Sequence, residues 1–222
     1  MSVASNIRQL KAELPAGVTL VAVSKFHPAE TIREAYEAGQ RVFGESKAQE
    51  LTAKQAQLPG DIEWHFIGHL QTNKVKYIAP FIHTIHSVDS LNLLQEVDKQ
   101  AARSGRNIRV LLQVHVAAEE TKFGLTPEAC EELVRSEAFA ACRHVTVCGL
   151  MGMATNTGDT EQIRKEFRTL HSLFVTLKHR YFSDCPAFTE LSMGMSHDYR
   201  LAVEEGSTLV RVGSLIFGDR TY

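Results

Sequence analysis

Lys25 closes an apolar run, Val18-Thr19-Leu20-Val21-Ala22-Val23-Ser24-Lys25, and His27-Pro28 follows at once. A near-continuous apolar stretch of this kind reads as a strand buried on both faces, the pattern of a parallel sheet. An amine at the carboxyl end of such a strand sits where α/β folds place their chemistry. Partly desolvated there, it can attack a carbonyl and form a Schiff base. The structural alternative is a strand-end lysine whose ammonium reaches out to water. The last quarter of the chain offers a complement. Leu191-Ser192-Met193-Gly194-Met195-Ser196 and Arg211-Val212-Gly213-Ser214-Leu215-Ile216-Phe217-Gly218 combine glycines, hydroxyls and a short helical stretch. Loops of that composition cradle phosphate with backbone N–H groups, although ordinary turns and a serine cap use the same residues. Arg211 shares a strand face with Leu209 and Gly213. Facing a barrel interior, its guanidinium would need an acceptor, such as a heteroaromatic nitrogen or a phosphate. Facing outward, a helix carboxylate would pair with it.

The elements that must position these residues alternate strictly. Strand-like runs lie at 18–25, 41–45, 63–68, 82–88, 108–116, 144–153, 190–196 and 208–213. Amphipathic stretches separate them at 29–38, 46–57, 72–78, 91–104, 127–138, 160–179 and 198–205, and a further one at 5–13 leads the first strand. Pro28 and Pro127 suit first-turn positions; Gly39, Gly105 and Gly206 suit C-terminal caps. Eight β–α units imply parallel strands with right-handed crossovers and, in 222 residues, a single (β/α)8 TIM barrel spanning 1–222. A doubly wound open sheet is the alternative architecture. In a barrel, one end collects Lys25, Gly44-Glu45-Ser46, Gly68-His69, Asp89, His115, Met151-Gly152-Met153, Ser192 to Ser196 and Arg211 to Ser214.

Composition removes other classes. Lys+Arg (24) nearly balances Asp+Glu (26), without a basic stripe, so nucleic acid is not an expected partner. No segment approaches a membrane span, and the opening residues lead us to expect no signal peptide. Cys130, Cys142, Cys148 and Cys185 form no C-x-x-C pair, consistent with a reduced, cytoplasmic protein. The ten histidines raise the question of a metal. His65 and His69, four apart on or beside a strand, stand about 13 Å apart, too far to share one ion. His83 and His86 are expected on opposite strand faces, so no metal site is expected. Trp64 and Phe66 fall on one face of the third strand and His65 on the other. Met151, Met153, Met193 and Met195 read as irregular core filling around strand ends, and Glu119-Glu120 and Glu204-Glu205 as solvated charges.

Taken in order, the motifs resemble those of the pyridoxal phosphate homeostasis protein family (the YggS/PROSC family). They are Ala22-Val23-Ser24-Lys25, Phe43-Gly44-Glu45, and Trp64-His65-Phe66-Ile67-Gly68-His69-Leu70-Gln71-Thr72-Asn73-Lys74. Thr121-Lys122-Phe123-Gly124, Gly149-Leu150-Met151, the Leu191–Ser196 segment, Gly206-Ser207-Thr208-Leu209-Val210-Arg211-Val212-Gly213 and Ile216-Phe217-Gly218 complete the series. The resemblance implies an alanine-racemase-like barrel of PLP fold type III, without the second β domain, that holds pyridoxal 5′-phosphate (PLP). It implies Lys25 as the Schiff-base lysine and Arg211 opposite the pyridine nitrogen. Ser192, Ser196, Gly213 and Ser214 are implied as the phosphate cradle. Two positions depart from the family pattern: Ser46-Lys47 where Asn-Tyr follows Gly-Glu, and His115 where asparagine is frequent.

The same residues argue against strong catalysis. Arginine is a donor only and stays protonated, so it favours an unprotonated pyridine ring, a poorer electron sink. Racemases of this class also take a tyrosine from the second domain, whereas only Asp219-Arg220-Thr221-Tyr222 follow Gly218 here. The expectation is a monomeric PLP carrier or buffer with little turnover, whose partners are PLP and the PLP-dependent apo-enzymes such a role implies. Reduced amino-acid racemisation is the alternative; a Schiff-base aldolase acting on a phosphorylated sugar is a third reading.

Overall fold

The structure, a computed structural model, describes residues 2–119 and 121–218. The expectations for Glu120 and for Asp219 to Tyr222 lie outside the described residues. Eight parallel strands close in sequence order into one barrel: β1 (Thr19–Val23), β2 (Val42–Glu45), β3 (Glu63–Phe66), β4 (Thr84–Val88), β5 (Ile108–Gln113), β6 (Val145–Met151), β7 (Glu190–Met195) and β8 (Leu209–Val212), with β8 paired to β1. The open-sheet alternative is thereby excluded. Among the described residues no helix is long and apolar enough to cross a membrane.

The helices are α1 (Val3–Glu13), α2 (Ala29–Glu37), α3 (Ala48–Gln55), α4 (Thr72–Ile78), α5 (Leu91–Arg103), α6 (Pro127–Arg135), α7 (Glu137–Ala140), α8 (Thr160–Tyr181), α9 (Tyr199–Glu204) and α10 (Ser214–Phe217). The single stretch expected at 127–138 is two helices. Ser136 takes extended dihedrals, and its Oγ accepts the Phe139 N–H, capping a new start. Pro127 occupies the first turn of α6, while Pro28 stands one place earlier, as the N-cap of α2.

Alternation along the strands sorts two interiors. Leu20, Ala22, Phe43, Trp64, Phe66, Ile85, Val110, Leu112, Leu191, Val210 and Val212 join the large apolar layer between barrel and helices. Their neighbours Val21, His65, His86, Arg109, Leu111, Glu190, Ser192, Leu209 and Arg211 take the other face, inside the barrel. That inner face is unusually polar, since barrel interiors are ordinarily filled by branched apolar side chains. Register shifts between β4 and β5, β5 and β6, and β7 and β8 adjust which inner residues meet. At Gly149 (φ +152°) a Cβ would lie 1.7 Å from the Glu190 carbonyl oxygen, so only glycine lets β6 and β7 approach there.

Candidate functional site

At the C-terminal end of the strands a cavity of about 250 Å³ opens, lined by Lys25, Arg211, Ser196, Gly213 and Ser214 together with Val23, His27, Ile67, Met153, Met195, His197 and Gly218.

Lys25 is presented by a turn that several groups hold. After β1, the Ser24 N–H donates to the Gly44 carbonyl (3.0 Å) and the His27 N–H returns to the Ser24 carbonyl (3.1 Å). Phe26 adopts φ +69°, the left-handed region that L side chains seldom enter. Its N–H donates to Glu50 Oε1 (2.6 Å). Beneath it, buried Lys54 Nζ donates to the Ser24 carbonyl, Glu45 Oε1 and Glu50 Oε1 (2.8, 2.7 and 2.7 Å), and Ser24 Oγ donates to the same Glu45 oxygen (2.7 Å). Burial pushes the Glu45 carboxyl up, against the pull of Lys54. This network was not anticipated from sequence; its signal was an acidic residue ending the apolar β2 with a lysine nine positions on.

Arg211 is 4% exposed and faces the interior. Its guanidinium donates to Ser192 Oγ and to the Gly152 carbonyl (2.9 Å), so the protein itself supplies part of the acceptance it requires. Burial brings its pKa down to about 10, leaving it protonated at neutral pH. Ser192 does not line the cavity with the other proposed cradle residues. It is fully buried a layer below, between Arg211 and His86 Nδ1 (3.0 Å). The reason is its place on β7: the register shift falls between Ser192 and Met195, and only beyond it do Met195 and Ser196 reach the mouth.

The remaining loop residues do converge. Ser196 Oγ accepts the Gly213 N–H (3.1 Å). Gly213 precedes α10 without a side-chain cap, and the first N–H returned to its carbonyl is that of Ile216, leaving the earlier N–H groups outside the helix ladder. A Cβ on Gly213 would meet the Val23 carbonyl at 3.2 Å, so this glycine also seats the loop against β1. Ser46, His69, Asp89 and His115 stand on the same rim but outside the cavity. His69 faces Asp89 (3.3 Å) and stacks on Phe123, while His115 Nε2 meets the Glu119 carbonyl (2.9 Å).

The histidines of β3 and β4 correct the strand-by-strand reading. His83 and His86 were expected on opposite faces, yet both meet His65. His65 Nδ1 lies 2.8 Å from His86 Nε2, and the His65 and His83 rings stack at 5.4 Å. His83 precedes the first residue of β4, so strand alternation does not govern it. Burial, then the charges of His83 and Arg109, drive His65 down to about 3. Burial first, with His65, Arg211 and His83 adding to it, holds His86 well below the usual imidazole range.

The alanine racemase N-terminal domain family matches residues 1–221. A pyridoxal phosphate homeostasis protein from Aquifex aeolicus is 44% identical over 204 residues, covering 91% of this chain and 87% of the relative. The chain belongs to this family. The structure of PipY from Synechococcus elongatus PCC7942 with PLP bound superposes with a TM-score of 0.88 at 38% identity, covering 98% of this chain and all of that one. Alanine racemase from Bartonella henselae, with covalently bound pyridoxal phosphate, shares the fold alone: TM-score 0.70 and 16% identity, over 99% of this chain and 60% of the racemase. The family's homeostasis proteins therefore lie nearer in sequence than this racemase, which shares only the barrel.

Proposed function

We propose that this chain, as one barrel domain, binds PLP for intracellular PLP homeostasis, carrying or buffering the cofactor in the cytoplasm with little or no turnover. The observation that carries this reading is the convergence of Lys25, Arg211, Ser196, Gly213 and Ser214 on one cavity. The donor set fits the group: an amine for an aldehyde, a guanidinium for a ring nitrogen, hydroxyls and backbone N–H groups for a phosphate. When bound, PLP supplies an aldehyde that condenses with an amine and a ring that can draw electrons from an attached carbon. Lys25 is the condensing amine, held by the turn that Lys54 and Glu50 anchor. Gly213 and Ser214 with Ser196 take the phosphate. Arg211, protonated and a donor only, favours the unprotonated ring nitrogen and so restrains the electron sink. Ser192 serves by positioning Arg211 from below. A monomer that passes PLP to apo-enzymes completes the reading.

Spectra with added PLP, followed by borohydride trapping and peptide mapping, test it. The protein is expected to form a reducible adduct at Lys25 that Lys25→Ala lacks; equal labelling of the same site in the variant would overturn the assignment. Alanine or serine racemisation at enzyme-like rates would replace buffering with catalysis.

A further inference from the structure

We propose that the opposite, N-terminal end of the barrel holds one divalent transition-metal ion of the zinc class, bound by Glu63, His65 and His83. One carboxylate oxygen and one ring nitrogen from each histidine lie within 4.8 Å of one another there. The independent observation is His65 Nε2. It is buried, in a residue only 3% exposed, and has no hydrogen-bond partner among the described residues. Buried polar nitrogens are ordinarily satisfied, and a coordinate bond satisfies this one.

The other ring nitrogen of His65 is already arranged as a metal-binding imidazole requires, and that of His83 has a partner within reach. A ligating histidine holds its second nitrogen against a hydrogen-bond partner, which fixes the ring and the tautomer. His65 Nδ1 faces His86 Nε2 at 2.8 Å, and His83 Nδ1 faces Thr84 Oγ1 at 2.9 Å. That leaves both Nε2 atoms for the ion, with His83 Nε2 already 3.7 Å from Glu63 Oε2. The nearly parallel stacking of the two rings, 2° between planes, means that His83 must turn about its side-chain bonds to share an ion with His65, and the Thr84 hydroxyl must re-form its contact with the turned ring. Its side chain is 39% exposed and has room to do so, whereas His65 is the fixed ligand. Arg109 stands nearby, but its guanidinium is paired with Glu190, so the two add little net charge.

The ligand chemistry selects the ion. Two imidazoles and one carboxylate suit zinc and its neighbours and leave a fourth position for water. Calcium and magnesium, which take oxygen ligands, are poorly served. Because Glu63 and His83 are open to solvent, the ion enters without passing the cavity that contains Lys25.

The test is titration of chelator-treated, dialysed protein with ZnCl2, and with CoCl2 as a spectroscopic probe. Wild type is expected to take up one Zn2+ per chain, and Co2+ to give the visible ligand-field bands of a four-coordinate site. His83→Ala and Glu63→Gln, both at exposed positions away from the Lys25 cavity, are expected to weaken Zn2+ binding about tenfold or more with unchanged far-UV circular dichroism. Absence of stoichiometric Zn2+ binding by wild type overturns the proposal. Equal affinity in both variants does so too, because the ion would then sit on other histidines.

Discussion

At its C-terminal end the barrel gathers an amine, a guanidinium and hydroxyl-bearing loops around a cavity; at its N-terminal end it gathers Glu63, His83, Arg109 and Glu190 in opposite-charge or histidine contacts. The first end presents an amine, a guanidinium and hydrogen-bond donors to a ligand that brings acceptors and negative charge. The second balances charge within the protein. Barrels commonly reserve their C-terminal face for chemistry and their N-terminal face for stability. Here the polar interior runs between the two, through His65, His86, Ser192 and Arg211. Position on the barrel therefore says where a ligand of a given charge can be received, more than whether an end is functional.

That contrast can be broken by substitution, beginning where the largest effect is expected. Gly149→Ala forces a Cβ into the Glu190 backbone and should cost more than about 4 kcal/mol, read as loss of soluble barrel or a collapsed urea midpoint. An unchanged midpoint would mean that β6 and β7 do not approach as described. Lys54→Met strands the buried Glu45 carboxylate under the Lys25 turn and should cost about 3–5 kcal/mol in chemical unfolding. It should also slow adduct formation with PLP, while Glu63→Gln at the other end leaves that rate alone. Arg211→Gln should weaken PLP binding by about 1.5–3 kcal/mol, measured by equilibrium dialysis, with the barrel still folded. Equal retention would remove Arg211 from contact with the cofactor.

The smallest effect, taken over a single pH unit, is one of pH. His65 and His86 are neutral in the folded chain, with pKa values below the ordinary 6.5. The unfolded chain therefore binds more protons just below that value, so the contribution of His65 to stability is complete above about pH 6.5 and is lost as pH falls toward about 3, and that of His86 is lost in the same direction. A single group held down in this way contributes at most about 1.4 kcal/mol per pH unit. Urea unfolding from pH 7 to 4, with a chelator present, should show a shallower slope for His86→Leu than for wild type. Superimposable slopes would show that His86 is not held neutral.

The sequence carried the fold because periodicity is local. The apolar run before Lys25, the alternation in Glu63-Trp64-His65-Phe66 and the glycine caps each read out within a few residues. Lys25 and the Gly213-Ser214 loop were legible for the same reason, since each ends its own strand. Ser192 was not, because its separation from Ser196 depends on an irregularity in the pairing of β7 with β8. The meeting of His65, His83 and His86 depends on register between β3 and β4, which no pattern within either strand reports. Lys54 and Glu45 were missed likewise: their contact exists only after α3 has folded back on β2.

The file of side chains from His65 to Arg211 has a direction. Arg211 only donates, so Ser192 must accept from it, and Ser192 then has one hydrogen and one lone pair to offer His86. If Ser192 donates, each neutral imidazole accepts on one nitrogen and donates from the other, and the last hydrogen emerges at His65 Nε2. If His65 Nε2 is instead a lone pair, both imidazoles reverse together and the surplus hydrogen returns to Ser192, beside Arg211. The file thus has two tautomeric states that differ at both ends at once. Whatever fixes the hydrogen at one mouth of the barrel fixes it at the other, without any backbone atom having to move.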